Sequence, residues 1–250
     1  MSAVVVDQFT RQAASFARLP GHDEPTQRLL DMAGIGASSV VLDVACGPGM
    51  VACAAAQRAR RVTGIDLTPA MIGQAQALQA RLGLANVDWR VGEAAKLPFD
   101  DASFDAVLTR YSAHHFPDPD LVFAEMLRVA RPGARVAIAD LVLPSAQAAA
   151  YDRMERLRDP SHVRTLTREQ LQAAAVAAGL RELRGADYRF SVDLDTLMRA
   201  SFPAPGDVER VRAAFEADLG VDRMGLGLRR EQGVIALSYP VTIVAGLKAA

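Results

Sequence analysis

The sequence predicts an α/β protein: a parallel sheet with helices on both faces. Three observations carry this prediction. Between Val40 and Val142, short Val- and Ile-rich runs alternate with helical stretches, the pattern of strands joined by crossover helices. The first run breaks sharply at Gly47-Pro48-Gly49 and an Ala-rich stretch follows, which reads as strand, tight turn and helix. Half of the 250 residues are hydrophobic, enough for the core of one large domain or of one domain with a small cap.

Composition narrows the function. A formal net charge of −1 lacks the basic excess of a general nucleic-acid binder, so no nucleic-acid partner is expected. The two cysteines, Cys46 and Cys53, flank one turn–helix junction and form no disulfide framework. The chain shows no charged start followed by an apolar core, and no apolar run of about 18 residues. The expectation is therefore a protein of the reducing cytoplasm with no membrane span.

Taken in order, Phe9, Ala13, Phe16 and Ala17 recur at helical spacing, and Glu24 to Ala33 reads as a second helix before the Gly34–Gly36 turn. These helices either pack on the sheet or fold over a site as a lid. Val40-Val41-Leu42-Asp43-Val44 is the first strand, and the helix after its glycine turn runs from Met50 to Arg60. The start of that helix offers unpaired N–H groups to a small ligand. Gly47-x-Gly49-x-x-Ala52 formally fits the dinucleotide fingerprint. Asp43 argues against it, because a carboxylate there faces the pyrophosphate that a nicotinamide dinucleotide lays across this turn. A ligand with a cationic amine and no phosphate suits it, and S-adenosylmethionine is such a ligand. The alternative is that Asp43 only caps the turn or the next helix.

Arg61 to Asp66 is the second strand, with Thr68 as N-cap and Pro69 at the first helical position of a helix that Gly83 stops. Asp66 ends its strand 17 residues after Gly49, where an acid reaches ribose hydroxyls. Val87 to Gly92 is the third strand, leading into Glu93-Ala94-Ala95-Lys96-Leu97-Pro98-Phe99. Phe104 to Arg110 is the fourth, followed by Tyr111-Ser112-Ala113-His114-His115-Phe116. Ligands in open α/β sheets bind outside the carboxyl ends of the strands, so this loop borders the reacting centre. His114 or His115 is the candidate general base and Tyr111 a further catalytic candidate, with Arg110 positioning.

Asp118 and Pro119 open the next helix, with Leu121, Val122, Met126, Val129 and Ala130 as its buried stripe and Pro132-Gly133 as its end. Ala134 to Val142 is the fifth strand. Gln147 to Arg158 is a mixed helix. Arg158 to Arg164 reads as a solvated polar loop, with His162 and Arg164 as alternative acceptor contacts. Thr167 with Gln170 fits a capping box before the helix Arg168 to Ala178, and the sixth strand lies near Leu180 to Val192. Two helices, Leu194 to Ser201 and Asp207 to Leu219, and a Gly-rich stretch then precede the long last strand, Val234 to Lys248. Phe202, Phe215, Met224 and Leu226 of this insertion line a pocket or pack it.

Val-Leu-Asp-Val-Ala-Cys-Gly-Pro-Gly, from Val41 to Gly49, resembles the first motif of class I S-adenosylmethionine-dependent methyltransferases. Gly92 to Phe99 resembles their third signature, with Glu93 where an Asp is usual. The resemblance spans about Val40 to Leu143 and is closest to the small-molecule enzymes related to the ubiquinone and menaquinone methyltransferases. It implies a Rossmann-like sheet with an antiparallel last strand between the fifth and sixth. It also implies an N-terminal helical lid (1–36), a cofactor domain (37–192 and 232–250) and a helical insertion (193–231) covering the acceptor site. The implied cofactor set is Asp43, Ala45, Cys46, Gly47, Gly49, Asp66, Leu67 and Met71 flanking adenine, Gly92, Glu93, Ala94, Arg110 and His115. Phe16, His162 and Met224 are the candidate acceptor contacts. The implied activity is methyl transfer to O, N or C of a small organic molecule, in quinone or secondary-metabolite biosynthesis. S-adenosylhomocysteine is then the product, no metal takes part, and a homodimer is left open. Two other readings stay open: a protein that binds this cofactor without transferring methyl, such as an isomerase or pericyclic catalyst, and a nicotinamide oxidoreductase. The last lacks a Tyr-x-x-x-Lys pair, since His115 follows Tyr111 by four and Glu155 follows Tyr151 by four.

Overall fold

A computed structural model describes residues 2–16 and 23–249, apart from the side chains of Ser2, Phe16 and Asp23. Five strands are parallel: Val40–Val44 (β1), Arg61–Asp66 (β2), Val87–Val91 (β3), Phe104–Arg110 (β4) and Ala130–Leu141 (β5). Leu180–Asp193 (β6), Arg229–Glu231 (β7) and Val234–Lys248 (β8) complete the sheet. Its order is β3-β2-β1-β4-β5-β8-β6, with β7 beside β8. As expected, β8 enters antiparallel between β5 and β6. The order reverses between β1 and β4, so crossovers leave these neighbours in opposite directions and open a crevice at their carboxyl ends.

Successive side chains of a strand face opposite ways, which gives the sheet two cores. Leu42, Val44 and Val107 face the helices Pro119–Val129 (α5) and Arg168–Ala177 (α7), where Phe123, Met126 and Leu171 are buried. Val41, Val62 and Leu108 face the other way, against Leu29, Leu30 and Ala52. Those last residues belong to Asp23–Met32 and Met50–Ala56, the second and third helices of the order Ser2–Phe16 (α1), α2, α3 and Pro69–Leu82 (α4). Asp118 caps α5 by accepting from the N–H groups of Asp120 and Leu121, and Thr167 closes a full capping box with Gln170.

Several boundaries differ from the sequence reading. The helix α3 stops at Ala56, not Arg60, and β5 begins at Ala130, pairing with Phe104, so Pro132-Gly133 lies inside the strand. Thr68 occupies the N-cap of α4 but makes no side-chain cap bond; its N–H donates to Asp66 Oδ1 instead. Leu121, expected in the buried stripe of α5, is 56 % exposed.

The largest difference concerns the insertion. Ser145–Arg158 (α6), Leu194–Arg199 (α8) and Asp207–Asp218 (α9) share a third core with β6 and β8, in which Phe215, Met224, Leu226 and Leu237 are buried. Residues 193–231 thus buttress α6 and the sheet edge. They do not line the crevice, and neither does Met224. The buried faces of these helices pack on β6, β8 and α6 instead. Among the described residues no helix is long and apolar enough to cross a membrane.

Candidate active site

The crevice holds a cavity of about 620 Å³. Its floor is the end of β1, the turn after it, the end of β2, the loop after β3 and the loop after β4. Its roof is α1, through Val4, Val5 and Phe9, and one wall is the loop after α6, through Pro160, Ser161, His162 and Val163. Of the thirteen expected cofactor residues, Asp43, Ala45, Cys46, Gly47, Asp66, Leu67, Met71, Gly92, Glu93, Ala94, Arg110 and His115 line this cavity.

Gly49 does not. It has φ +82 at the N-cap of α3, and a Cβ there would lie 2.6 Å from the Trp89 ring and 2.7 Å from Ala75 Cβ. Close packing of α3, α4 and β3 requires this glycine. Gly47 is the opposite case: at φ +52 a Cβ would meet nothing within 4 Å, so the open space beside it belongs to the cavity.

Asp43 is 1 % exposed. One side of its carboxyl accepts the N–H of Ala52 in the first turn of α3, while Oδ2 is buried with no partner among the described residues. Capping and an open oxygen therefore coexist in one side chain. Burial pushes the Asp43 carboxyl up to about 7, against the pull of the Arg110 guanidinium. Asp66 accepts from Gly47 N–H at 2.9 Å through Oδ2 and from Thr68 N–H at 2.8 Å through Oδ1. It ties the β1 turn to the β2 loop, and burial raises its carboxyl above the usual range despite these bonds. A cavity floored by two carboxylates, with an orphaned buried oxygen on one, fits a ligand carrying a cationic amine and hydroxyl groups. It does not fit a pyrophosphate.

The two adjacent histidines have opposite surroundings. His114 does not reach the cavity: its Nδ1 lies 2.6 Å from Asp140 Oδ1 and its backbone N–H donates to Asp140 Oδ2. Burial alone would lower His114, but Asp140 outweighs it and holds the imidazole above its ordinary value. Asp140 is held below the usual carboxylate range by the same pairing, against burial. His115 lines the cavity, and its ring and that of Phe9 pack in a T-shaped pair at 4.9 Å between centroids. Burial, and then the charge of His114, push it down to about 4.

Tyr111, at φ 57, lines the cavity, but its hydroxyl is 2.8 Å from that of Tyr188, and burial raises its ionisation. It is not placed as a base. The loop after α6 is not solvated as expected. His162 is buried, its Nε2 2.7 Å from Asp152 Oδ1, although Arg164 is exposed and away from the cavity. The side chain of Phe16 lies outside the described residues. Sequence reasoning missed Asp140, Asp159, Ser161 and Gln12, each bonded to a partner distant in the chain, and Asp152, which pairs with His162 ten residues on. The roofing residues Val4 and Val5 and the cavity residue Arg156 were missed as well. Among the described residues no group of His, Cys, Asp and Glu side chains is arranged to hold a metal ion.

A family model described as a methyltransferase domain matches residues 42–138, the span that builds the cavity floor. An uncharacterized methyltransferase of Bacillus subtilis, YcgJ, is 29 % identical over 212 residues, covering 83 % of this chain and 84 % of that protein. Its crystal structure superposes with a TM-score of 0.82 over 91 % of this chain and 99 % of that one, at 25 % identity. The 27-O-demethylrifamycin SV methyltransferase of Amycolatopsis mediterranei is 35 % identical over 162 residues, 62 % of this chain and 58 % of that longer protein. The [4+2]-cyclase SpnF shares the fold alone, with a TM-score of 0.60 and 21 % identity over 91 % of this chain and 80 % of that one.

Proposed function

We propose that this chain, which belongs to the class I S-adenosylmethionine-dependent methyltransferases, methylates an O, N or C atom of a small organic molecule within the cavity under α1. Bound S-adenosylmethionine supplies a methyl group on a sulfonium that leaves as a neutral thioether. The protein's part is then to hold two reactants in line and keep water out. The buried, unpartnered Oδ2 of Asp43 carries the reading, as the natural acceptor for the ammonium of the methionine moiety. Asp66 keeps lone pairs for ribose hydroxyls beyond the two backbone bonds it already accepts. Leu67 and Met71 offer apolar faces to adenine, and the exposed Glu93 carboxylate accepts from its amino group. Ala45, Cys46, Gly47, Gly92, Ala94 and Arg110 complete the cofactor side.

The acceptor side is lined largely by apolar residues. Val4 and Leu121, 48 % and 56 % exposed, sit at its edge and suit an apolar molecule arriving from solvent. Similarity to the rifamycin enzyme supports an acceptor of the secondary-metabolite kind, and a cytoplasmic setting with quinone or secondary-metabolite chemistry is the fitting context. Calorimetry with S-adenosylhomocysteine and with NADH tests the cofactor assignment. Tight binding of the first, lost in Asp66→Ala, is expected; tight binding of NADH alone would overturn it. Transfer of labelled methyl to an acceptor panel then separates methyl transfer from a non-methylating use of the same cofactor.

A further inference from the structure

We propose that Asp159 and Ser161, on the loop after α6, are positioning residues that lock His115 as the Nδ1–H tautomer, so that its bare Nε2 accepts a hydrogen bond from a neutral hydroxyl on the methyl acceptor. This rests on the methyltransferase reading above and specifies its acceptor. The loop is 44 or more residues from His115 in sequence, and four contacts fix the arrangement. The Ser161 hydroxyl donates to Asp159 Oδ1, and the Ser161 N–H donates to the same oxygen at 2.9 Å. His115 Nδ1 lies 3.2 Å from the Ser161 carbonyl and 3.2 Å from the Ser161 hydroxyl oxygen.

A carbonyl only accepts. The single hydroxyl proton of Ser161 is already given to Asp159, so that oxygen also only accepts from His115. The proton shared between Nδ1 and these two oxygens therefore belongs to Nδ1, and Nε2 of the neutral ring carries a lone pair. Ionised Asp159 sustains the chain: although burial opposes its charge, the charge that His115 carries in acid, then Arg158 and the hydrogen bonds from Ser161 and Gln12, hold it at about 2, and above the acid range, with His115 neutral, Arg158 and those hydrogen bonds still favour the carboxylate. Gln12, on the roofing helix, donates to Asp159 Oδ2 at 3.1 Å, so α1 is seated on the group that orients His115.

A neutral ring with a bare nitrogen suits a hydroxyl and disfavours a carboxylate or phosphate, whose charge would face a lone pair. With S-adenosylmethionine bound, the acceptor oxygen would form its bond to the methyl carbon as the carbon–sulfonium bond breaks and leaves its electron pair on sulfur; the O–H bond breaks in turn and the proton passes to Nε2. The ring is a weak base, so it releases that proton to solvent rather than retaining it.

The test is ring 15N NMR of the full chain saturated with S-adenosylhomocysteine at pH 7, with His115 assigned by loss of its signals in His115→Gln. Failure of S-adenosylhomocysteine to bind the wild type defeats the cofactor reading, and the ring is then read without it. Expected is a protonated-type Nδ1 and a bare-type Nε2. Phenol should move the Nε2 resonance, while anisole, of similar size but without a donor, should not. In Asp159→Ala the Ser161 hydroxyl is freed to donate to Nδ1 in competition with the Ser161 carbonyl, which still accepts from it, so both ring resonances should shift part-way toward the opposite tautomer while S-adenosylhomocysteine affinity stays. A protonated Nε2 in the wild type overturns the proposal. So do equal responses to phenol and anisole, or no response to either, or ring signals in a folded Asp159→Ala that match the wild type.

Discussion

Replacing Asp43 by Asn should strengthen the empty protein and weaken its cofactor binding at the same time. The carboxyl is buried and its pKa rises from 3.8 to about 7, so the fold favours the protonated form. Stability from this group is therefore fully present below pH ~4 and is lost as pH rises through about 7. Holding the charged form in this site at alkaline pH costs about 4 kcal/mol, as an upper bound. An Asn amide inherits the bond from Ala52 but leaves an unpaired polar group at the site of Oδ2, at a cost of about 1–3 kcal/mol. The net gain at pH 8 is then roughly 1–3 kcal/mol, a rise in melting temperature on the order of 5 °C for a chain of this size. At pH 5 the native side chain is largely protonated and the gain should vanish. Binding goes the other way. Loss of a charge-assisted bond worth about 1.5–3 kcal/mol lowers S-adenosylhomocysteine affinity roughly 10- to 150-fold. Thermal melts at pH 5 and 8, with and without S-adenosylhomocysteine, measure both effects. The same change in melting temperature at both pH values, or undiminished binding, would refute the reasoning.

Other outcomes follow from the same packing. Gly49→Ala should cost about 2–5 kcal/mol, from the left-handed backbone and the collision with Trp89 and Ala75. Gly47→Ala should cost only about 1–2 kcal/mol of fold stability yet reduce S-adenosylhomocysteine binding by filling the cavity, as chemical unfolding and calorimetry would show. His114→Ala strands the buried carboxylate of Asp140, and about 3–5 kcal/mol should be lost in urea unfolding at pH 6. Asp140 is lowered, so its share is present above pH ~4. His114 is raised, so its share is present below pH ~6.5 and fades as pH climbs through its folded value; the loss should therefore shrink at pH 9. Met224→Ala should cost about 2–5 kcal/mol by opening the third core and leave S-adenosylhomocysteine affinity unchanged.

The floor of the cavity was legible in the sequence because it is built locally. Asp43, Gly47 and the start of α3 fall within one strand–turn–helix unit. Asp66 ends the neighbouring parallel strand, whose register places Asp43 opposite Gly64. Alternating strands and helices fix the sheet, and the sheet fixes where these residues meet. Even here the sequence misassigned a cause. Both glycines fit one fingerprint, but Gly47 leaves room for a ligand and Gly49 leaves room for Trp89. Only the fold separates the two.

The side of the cavity beneath α1 was illegible because its chemistry depends on partners far along the chain. His114 and His115 are neighbours of the same type, and nothing local tells them apart. Asp140, 26 residues away, pairs with the first and raises it. Ser161, 46 residues away, bonds the second without charge and leaves it low. The insertion shows the same limit from the other side. Its helical periodicity was readable, but which apolar surface it would cover was not, and it covers α6 rather than the cavity. That placement has a consequence for the site. Arg158 at the end of α6 pairs with Glu155 and donates to Ser201 Oγ at 2.7 Å, and Gln8 on α1 donates to the Phe202 carbonyl at 3.3 Å. The insertion therefore holds the root of the Asp159 loop and one edge of the roof without touching the cavity. Changes in residues 193–231 should alter how firmly the Asp159 loop and the roof are held while leaving the Asp43–Asp66 floor as it is.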